Sequence, residues 1–410
     1  MSEPTDAFFL ARTLPVLVTS VITTVVSSAI IPLYIRLGSE SRERADGMLR
    51  SVLGLHVLAS FALALVLGPG ISLLSRNLGR LGSLYCSVDF QRLSELLSLI
   101  IVPASASSLL TSALQAQHKF AVAASSTLFP PLASGAAVIM GGRSLGIAAP
   151  ALGMLVGYLM QLLLLSSAAR TTGIPVLPSL KWDAATLRPV LRQYLPLAIG
   201  SIASGGTTAV NQFVASLTGS GGVTAFTYGS RLTALVLGVT AGGLGVGLAP
   251  TLSRAVAKGD RQSFRNSLVR ASAFGLLVGG ISVVLTITFS TRLLQVVFGT
   301  SGLSVQQLNL ISSVQSLYCL QSPAYIIGVI LVRGMAALLA NDTVMRIALR
   351  NLALDIILAA TLGYFFGVKG LALTVSIIYV CSAIQIATAL KARLGRSDFT
   401  ASKQSGSVIA

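Results

Sequence analysis

Residues Thr224–Arg254 read TAFTYGSRLTALVLGVTAGGLGVGLAPTLSR. A run of this length and apolarity covers a tilted membrane-spanning helix, which needs roughly 20 residues. Its interior carries one charge, Arg231. An arginine at membrane depth costs at least about 2.5–3.5 kcal/mol on insertion scales, so the helix is expected to hide this side chain from lipid. Gly238, Gly242, Gly243, Gly245 and Gly247 crowd the same stretch. Glycine lets helix backbones approach closely and lets a helix bend. The outline occurs once before. Ala7-Phe8, Leu14, Pro32 and Arg36 match Ala225-Phe226, Leu232, Pro250 and Arg254 at a constant offset of 218. The shared order of helix, proline and arginine reads as an internal duplication that gives two related halves.

Working outward, composition sets the class. The chain has 410 residues, 53% hydrophobic and 10% charged, with a mean hydropathy of +0.83. A soluble domain carries about a quarter charged residues. The sequence therefore predicts an all-α, polytopic membrane protein. No stretch resembles a cleaved leader, because the first apolar run is long and ends in basic residues as a retained helix does. The net charge of +17 reads as lysine and arginine gathered in cytoplasmic loops beside anionic lipid, not as a nucleic-acid surface. Cys86, Cys319 and Cys381 show no metal spacing, and only His56 and His118 are present. No P-loop, metal cluster or nucleophile–base pair can be assembled, so neither a cofactor nor an enzymatic reaction is expected.

Eleven apolar spans follow, near 13–35, 53–74, 94–116, 120–140, 146–168, 192–217, 223–251, 271–290, 309–332, 347–366 and 370–390. Twenty-one basic residues fall in one set of intervening segments. The other set holds seven: Arg12, Arg76, Arg80, Arg92, Arg143, Arg292 and Lys369. The positive-inside rule places the richer set in the cytoplasm, with the N-terminus periplasmic and the C-terminus cytoplasmic. Residues 1–173 read as an N-terminal lobe of five spans, and 174–191 as a cytoplasmic linker with Trp182 at the interface. Residues 192–395 read as a C-terminal lobe of six spans and 396–410 as a cytoplasmic tail. One more helix ahead of Met1 would complete six and six, and it reads as missing. Spans one and seven run the same way, so the halves are related by an axis along the membrane normal.

Four polar residues stand out as candidate substrate contacts. Arg231 facing water would hold an anion such as a phosphate. Asp355 would pair with Arg346 or Arg350, or carry a proton or cation. Asn211, beside Gln212, would join helices or touch substrate. Asp6 lies just outside the first span, as an exposed terminal carboxylate or a fourth contact. His56 and His118 read as structural. The basic stretch Ser253–Arg270 reads as an amphipathic helix on anionic lipid.

Thr5-Asp6-Ala7-Phe8-Phe9-Leu10-Ala11 followed by Pro15 resembles the signature after the first helix of the lipid II flippase (mouse-virulence-factor) family. That family belongs to the multidrug/oligosaccharidyl-lipid/polysaccharide exporter superfamily. Val210-Asn211-Gln212-Phe213-Val214-Ala215-Ser216-Leu217 and Tyr228-Gly229-Ser230-Arg231-Leu232 are similar to the family's helix seven to helix eight region. Ala116-Gln117-His118-Lys119-Phe120 and Gly370-Leu371-Ala372 are weaker echoes. The resemblance implies two helical lobes around a central cavity and alternating access. The cargo implied is a polyprenyl-diphosphate-linked sugar, its diphosphate held by cavity arginines, with Arg231 on one arginine position and Asp6 on the family aspartate. Set against the resemblance, Thr19 and Ser20 stand where the family has arginines, Asn211 stands for an aspartate, and the last two family helices read as absent. These departures lead to the expectation of a bacterial inner-membrane exporter of a lipid-linked exopolysaccharide or surface-polysaccharide unit, working with other polysaccharide assembly proteins. The alternatives are a lipid II flippase for peptidoglycan, a cation-coupled multidrug exporter, and a membrane polymerase of the polysaccharide.

Overall fold

The computed structural model describes residues 3–77, 88–117, 119–179, 184–298, 303–338 and 340–395, which exclude Trp182, His118 and Cys86. The described residues form thirteen helices and no strand. They are α1 (Glu3–Glu40), α2 (Arg42–Asn77), α3 (Val88–Ser98), α4 (Ile101–Ala116), α5 (Phe120–Ser126), α6 (Phe129–Leu145), α7 (Ala148–Thr171), α8 (Ala184–Leu217), α9 (Gly222–Lys258), α10 (Arg261–Phe298), α11 (Val305–Cys319), α12 (Ser322–Ala337) and α13 (Asn341–Gly395). The last is broken at Gly367, whose φ of 59° and ψ of −142° are not helical. It is thus two helices, 341–366 and 368–395. Each of the eleven expected spans falls on helix, with three of them built from a broken helix pair, α3–α4, α5–α6 and α11–α12. Among the described residues, eight stretches are long and apolar enough to cross a bilayer by themselves.

Two compact units result, one up to Ala209 and one from Val210, with α8 running through the boundary. Their helices match in order. The hairpin α1–α2 turns at Ser41 and α9–α10 turns at Gly259-Asp260. The Ser41 hydroxyl accepts from the Arg44 N–H at 3.4 Å, and the Asp260 carboxylate accepts from the Ser263 N–H at 2.8 Å. Each satisfies a backbone donor that the first helical turn leaves without an intrahelical partner. The breaks also match. Leu99-Ile100 separates α3 from α4, and Leu320-Gln321 separates α11 from α12. Pro103 and Pro323 lie just beyond; each lacks the N–H that would bond back across the break. Gly146, at φ 52° and ψ −131°, turns α6 into α7 much as Gly367 turns the two parts of α13.

The longest helices exceed the bilayer. At 1.5 Å per residue, α1, α2, α9 and α10 are about 54–57 Å long, against roughly 30 Å of hydrocarbon. Their surplus length carries Arg42, Arg44, Arg50, Arg254, Lys258, Arg261 and Arg265, all exposed. This overturns the reading of Ser253–Arg270 as a surface helix: Ser253 lies within α9, and α10 begins at Arg261. Gly259, at φ 70°, and capping Asp260 reverse the chain there, and local charge periodicity carries no sign of that turn. Beyond α7 the linker is tied to α2. Arg42 Nη2 donates to the Thr172 carbonyl at 3.2 Å, and the Ser179 N–H donates to the Arg50 carbonyl at 3.0 Å.

Each unit has its own apolar core. Phe8, Phe90, Leu93, Leu97, Ala151 and Met154 fill one end of the first unit, while Leu49, Leu109, Leu114 and Leu165 belong to a second cluster there. Leu252, Phe264, Ile326, Ile330, Met335 and Ile386 fill the second unit. The outward faces are apolar too: Ile139 is 87% exposed, Met140 88% and Tyr364 84%. In water such a surface would drive association; in hydrocarbon it is the correct solvent face.

Candidate functional site

The second unit contains a buried acid. Asp355 lies in the first part of α13 and Asn211 in the last two turns of α8, and both are 0% exposed. The Asn211 Nδ2 donates to Asp355 Oδ1 and Oδ2, each at 3.0 Å. The two residues are 144 positions apart. Their helices meet closely nearby, where a Cβ on Gly363 would lie 2.7 Å from the Val214 side chain. Among the described residues no lysine or arginine pairs with Asp355. Arg346 instead pairs with Asp342 at 2.5 Å, and Arg393 donates to the Thr343 hydroxyl at 2.9 Å. The expected Arg346 or Arg350 partnership is therefore wrong. One helical turn, about 5.4 Å, is enough to separate a buried carboxylate from arginines at the exposed end of its helix.

Further polar and aromatic contacts tie α13 and its neighbours together. Asn351, one turn before Asp355, accepts from Gln385 Nε2 at 2.9 Å. Tyr379 lies within electrostatic reach of Asp355 and meets Tyr325 edge-on, with ring centroids 5.0 Å apart. The Ser376 hydroxyl donates to the Leu317 carbonyl at 2.8 Å, tying α13 to α11. Tyr318 of α11 meets Phe226 of α9 at 5.9 Å. Sequence reasoning missed Asn351, Tyr379 and Gln385. The available signal was the spacing of Asn351 and Asp355, which puts two polar groups on one face of an apolar helix.

A carboxylate in a low-dielectric interior is strongly disfavoured unless it is paired, protonated or bound to a cation. One amide supplies hydrogen bonds and no charge. The arrangement is suited to taking up a proton or a small cation.

Arg231 lies in α9 with its side chain exposed. Its neighbour is Tyr228, one turn earlier and within electrostatic reach. Gly229 brings α9 against α11, where a Cβ would lie 2.6 Å from the Val314 side chain. The helix thus buries Gly229 and presents Arg231. The expected exposure of Asp6 is corrected. It sits inside α1, which begins at Glu3, and is 1% exposed. Its neighbours Ala7, Phe8, Leu10 and Ala11 belong to the first unit's core, so hydropathy started the helix about three turns too late. His56 Nδ1 lies 2.9 Å from the Val52 carbonyl of its own helix, in keeping with a structural role. Among the described residues no group of His, Cys, Asp and Glu could hold a metal ion.

This fold has known counterparts. The family model described as "Lipid II flippase MurJ" matches residues 2–407. A probable lipid II flippase MurJ of Rhizobium tropici is 25% identical over 243 residues, 58% of this chain and 45% of the relative. One from Bdellovibrio bacteriovorus is 24% identical over 240 residues, 58% of this chain and 46% of the relative. The chain thus matches a little under half the length of these curated relatives. Among solved structures, a lipid II flippase MurJ in an inward closed conformation superposes with a TM-score of 0.78 at 22% identity, covering 95% of this chain and 82% of the other. An inward-facing multidrug resistance MATE family transporter gives 0.78 at 14% identity, covering 96% and 95%. These likenesses show the fold. A flippase moves a lipid without covalent chemistry, which agrees with the expectation of a non-enzyme. With the family model matched over nearly its whole length, the chain belongs to the lipid II flippase MurJ family.

Proposed function

We propose that this protein is an inner-membrane flippase that carries a polyprenyl-diphosphate-linked saccharide to the outer leaflet by alternating access, and that its substrate is lipid II. The observation that carries the reading is the family match over residues 2–407. The curated relatives support lipid II over the exopolysaccharide unit expected from the sequence, for which no comparison gives specific support. In this reading Arg231 contacts the diphosphate, since guanidinium offers paired N–H donors to phosphate oxygens and stays charged at every working pH. The Asn211–Asp355 pair takes up a proton or small cation whose binding biases one conformation, as a coupled transporter requires. Asp6 is a supporting residue of the first unit. The basic ends of the α1–α2 and α9–α10 hairpins support a cytoplasmic location for those tips. The MATE-like fold alone would also suit a multidrug exporter, but an arginine in the apolar part of α9 disfavours cationic drugs.

Thr19 and Ser20 keep the exopolysaccharide unit as the second reading. Their hydroxyls donate to the Val16 and Leu17 carbonyls of their own helix, at 2.9 and 2.8 Å, so they offer no charge where the family has arginines. Complementation separates the readings. Cells depleted of their lipid II flippase should regain growth when given this chain, and should not regain it with an Arg231→Ala protein that accumulates normally in the membrane. Full growth with Arg231→Ala would remove the arginine from the mechanism. Failure to restore growth, combined with restored mucoidy in an exopolysaccharide-exporter mutant, would move the substrate to the second reading.

A further inference from the structure

We propose that Gln315 holds ordered water inside the second unit, in the seam behind the helix that carries Arg231, and that this water lets α9 shift against α11 during transport; the second part rests on the flippase reading above. Gln315 is the eleventh of the 15 residues of α11. It belongs to the stretch Val305–Ala337, which is long and apolar enough to cross a membrane. Its side chain is 0% exposed. Neither the amide oxygen nor the amide nitrogen meets a hydrogen-bond partner among the described residues. Two unmet atoms in a low-dielectric interior carry the full desolvation penalty of the amide.

The direction of this side chain follows from its neighbours. Ser312, Gln315 and Tyr318 are spaced three apart and so lie on one side of α11. The Ser312 hydroxyl lies 2.9 Å from Ser290 Oγ and 3.1 Å from Thr291 Oγ1, both of α10. The Tyr318 ring meets Phe226 of α9, with centroids 5.9 Å apart. Gln315, between them, faces the seam where α9, α10 and α11 join. At this level α9 comes close: a Cβ on Gly229 would lie 3.2 Å from the Gln315 backbone nitrogen. Thr233 stands one turn further along the same face of α9. It is 1% exposed, and its hydroxyl also has no partner among the described residues. The hydroxyls of Ser230 and Thr240, by contrast, donate to carbonyls of their own helix.

Two orphaned polar side chains on adjacent helices point to a small ligand between them. A buried water makes roughly 2–4 hydrogen bonds, and the Gln315 amide with the Thr233 hydroxyl supplies that number. The set is neutral, which suits water and not an ion. An apolar side chain in place of Gln315 would fill this seam without the desolvation penalty, so the amide marks a functional requirement. A helix contact made through water exchanges its bonds when the helices shift, whereas close apolar packing resists the shift. Arg231 follows Gly229 by two residues, on the side of α9 turned away from α11. A movement of α9 along the wet seam therefore carries the arginine with it.

The test uses the purified full chain in detergent, exposed to brief X-ray pulses in isotopically labelled water, with thermal unfolding measured in parallel. Radicals formed from a bound water oxidise the side chains beside it. Cys319, one turn beyond Gln315 on α11 and 0% exposed, is the reporter. Cys319 should take up label in the unaltered protein and several-fold less in Gln315→Leu, while the unfolding temperature of Gln315→Leu holds or rises. In cells depleted of their lipid II flippase, Gln315→Leu should restore growth several-fold more slowly than the unaltered chain, with Gln315→Asn intermediate. An unlabelled Cys319 in the unaltered protein, or equal label in Gln315→Leu, overturns the water site. An unfolding temperature several degrees lower in Gln315→Leu overturns it as well, since the amide then has a protein partner. Lost label with full growth overturns the role in transport and leaves the flippase reading standing. Failure of the unaltered chain to restore growth overturns the flippase reading and that role together, and the label still decides the water site.

Discussion

The two units share a scaffold and differ in the charges placed inside it. Each has a long helical hairpin closed by an N-cap residue, a helix broken ahead of a proline, and a second hairpin turned by a positive-φ glycine. Twelve residues before that glycine stands Ser134 in one unit and Asp355 in the other; twelve residues after it stands Tyr158 or Tyr379. In the first unit the Ser134 hydroxyl donates to the Pro150 carbonyl at 3.0 Å, and the charge near its tyrosine is Arg12 of α1. In the second unit the charge near the tyrosine is Asp355 itself. The same hairpin thus faces a cation in one copy and holds an anion in the other. Apolar pattern and helix breakers define a fold that can be duplicated. One or two polar substitutions at equivalent positions are then enough to divide the chemistry between the copies.

The largest test of this contrast replaces the polar partner at equivalent sites. Asn211→Leu leaves the Asp355 carboxylate buried without its donor and should cost about 3 kcal/mol. Ser134→Ala loses one neutral hydrogen bond and should cost about 1 kcal/mol or less. Thermal unfolding of each purified variant measures both, and equal losses would break the distinction between the units. A smaller effect tests their likeness. Gly146→Val and Gly367→Val each force a side chain into a backbone region that glycine alone occupies readily, and each should cost about 1–3 kcal/mol. A loss at one position only would deny that the hairpins are equivalent. The smallest effect sharpens the comparison at the caps. Asp260→Ala should cost about 1 kcal/mol and Ser41→Ala less. The reason is that the Asp260 bond is short and charge-assisted at 2.8 Å, whereas the Ser41 bond is long at 3.4 Å. Hydrogen exchange at the first turns of α2 and α10 reads the difference locally.

Much of this was legible in the residues. Membrane class, an all-helical architecture and the likeness of α1 to α9 follow from hydropathy and a constant offset, because a bilayer imposes length and apolarity on each helix separately. The Asp6 motif, the Arg231 motif and the family they resemble were readable too, since each lies within a few consecutive positions. Arg12 and Asp6 were misplaced because a window average starts a span where charges end, whereas α1 continues through both. The turn at Gly259-Asp260 was hidden for a related reason: a basic stretch has the same composition on a surface helix as on the ends of two long ones.

Sequence by itself therefore determined the solvent of this protein, its helices and its repeat, all of which depend on local apolarity and on where proline and glycine interrupt it. Tertiary structure alone decided that Asn211 meets Asp355 across 144 residues, that Asp6 is buried, and that Arg12 stands level with Tyr158. Those facts depend on which helix faces which, and the energy of a charge depends on its neighbours in space rather than along the chain.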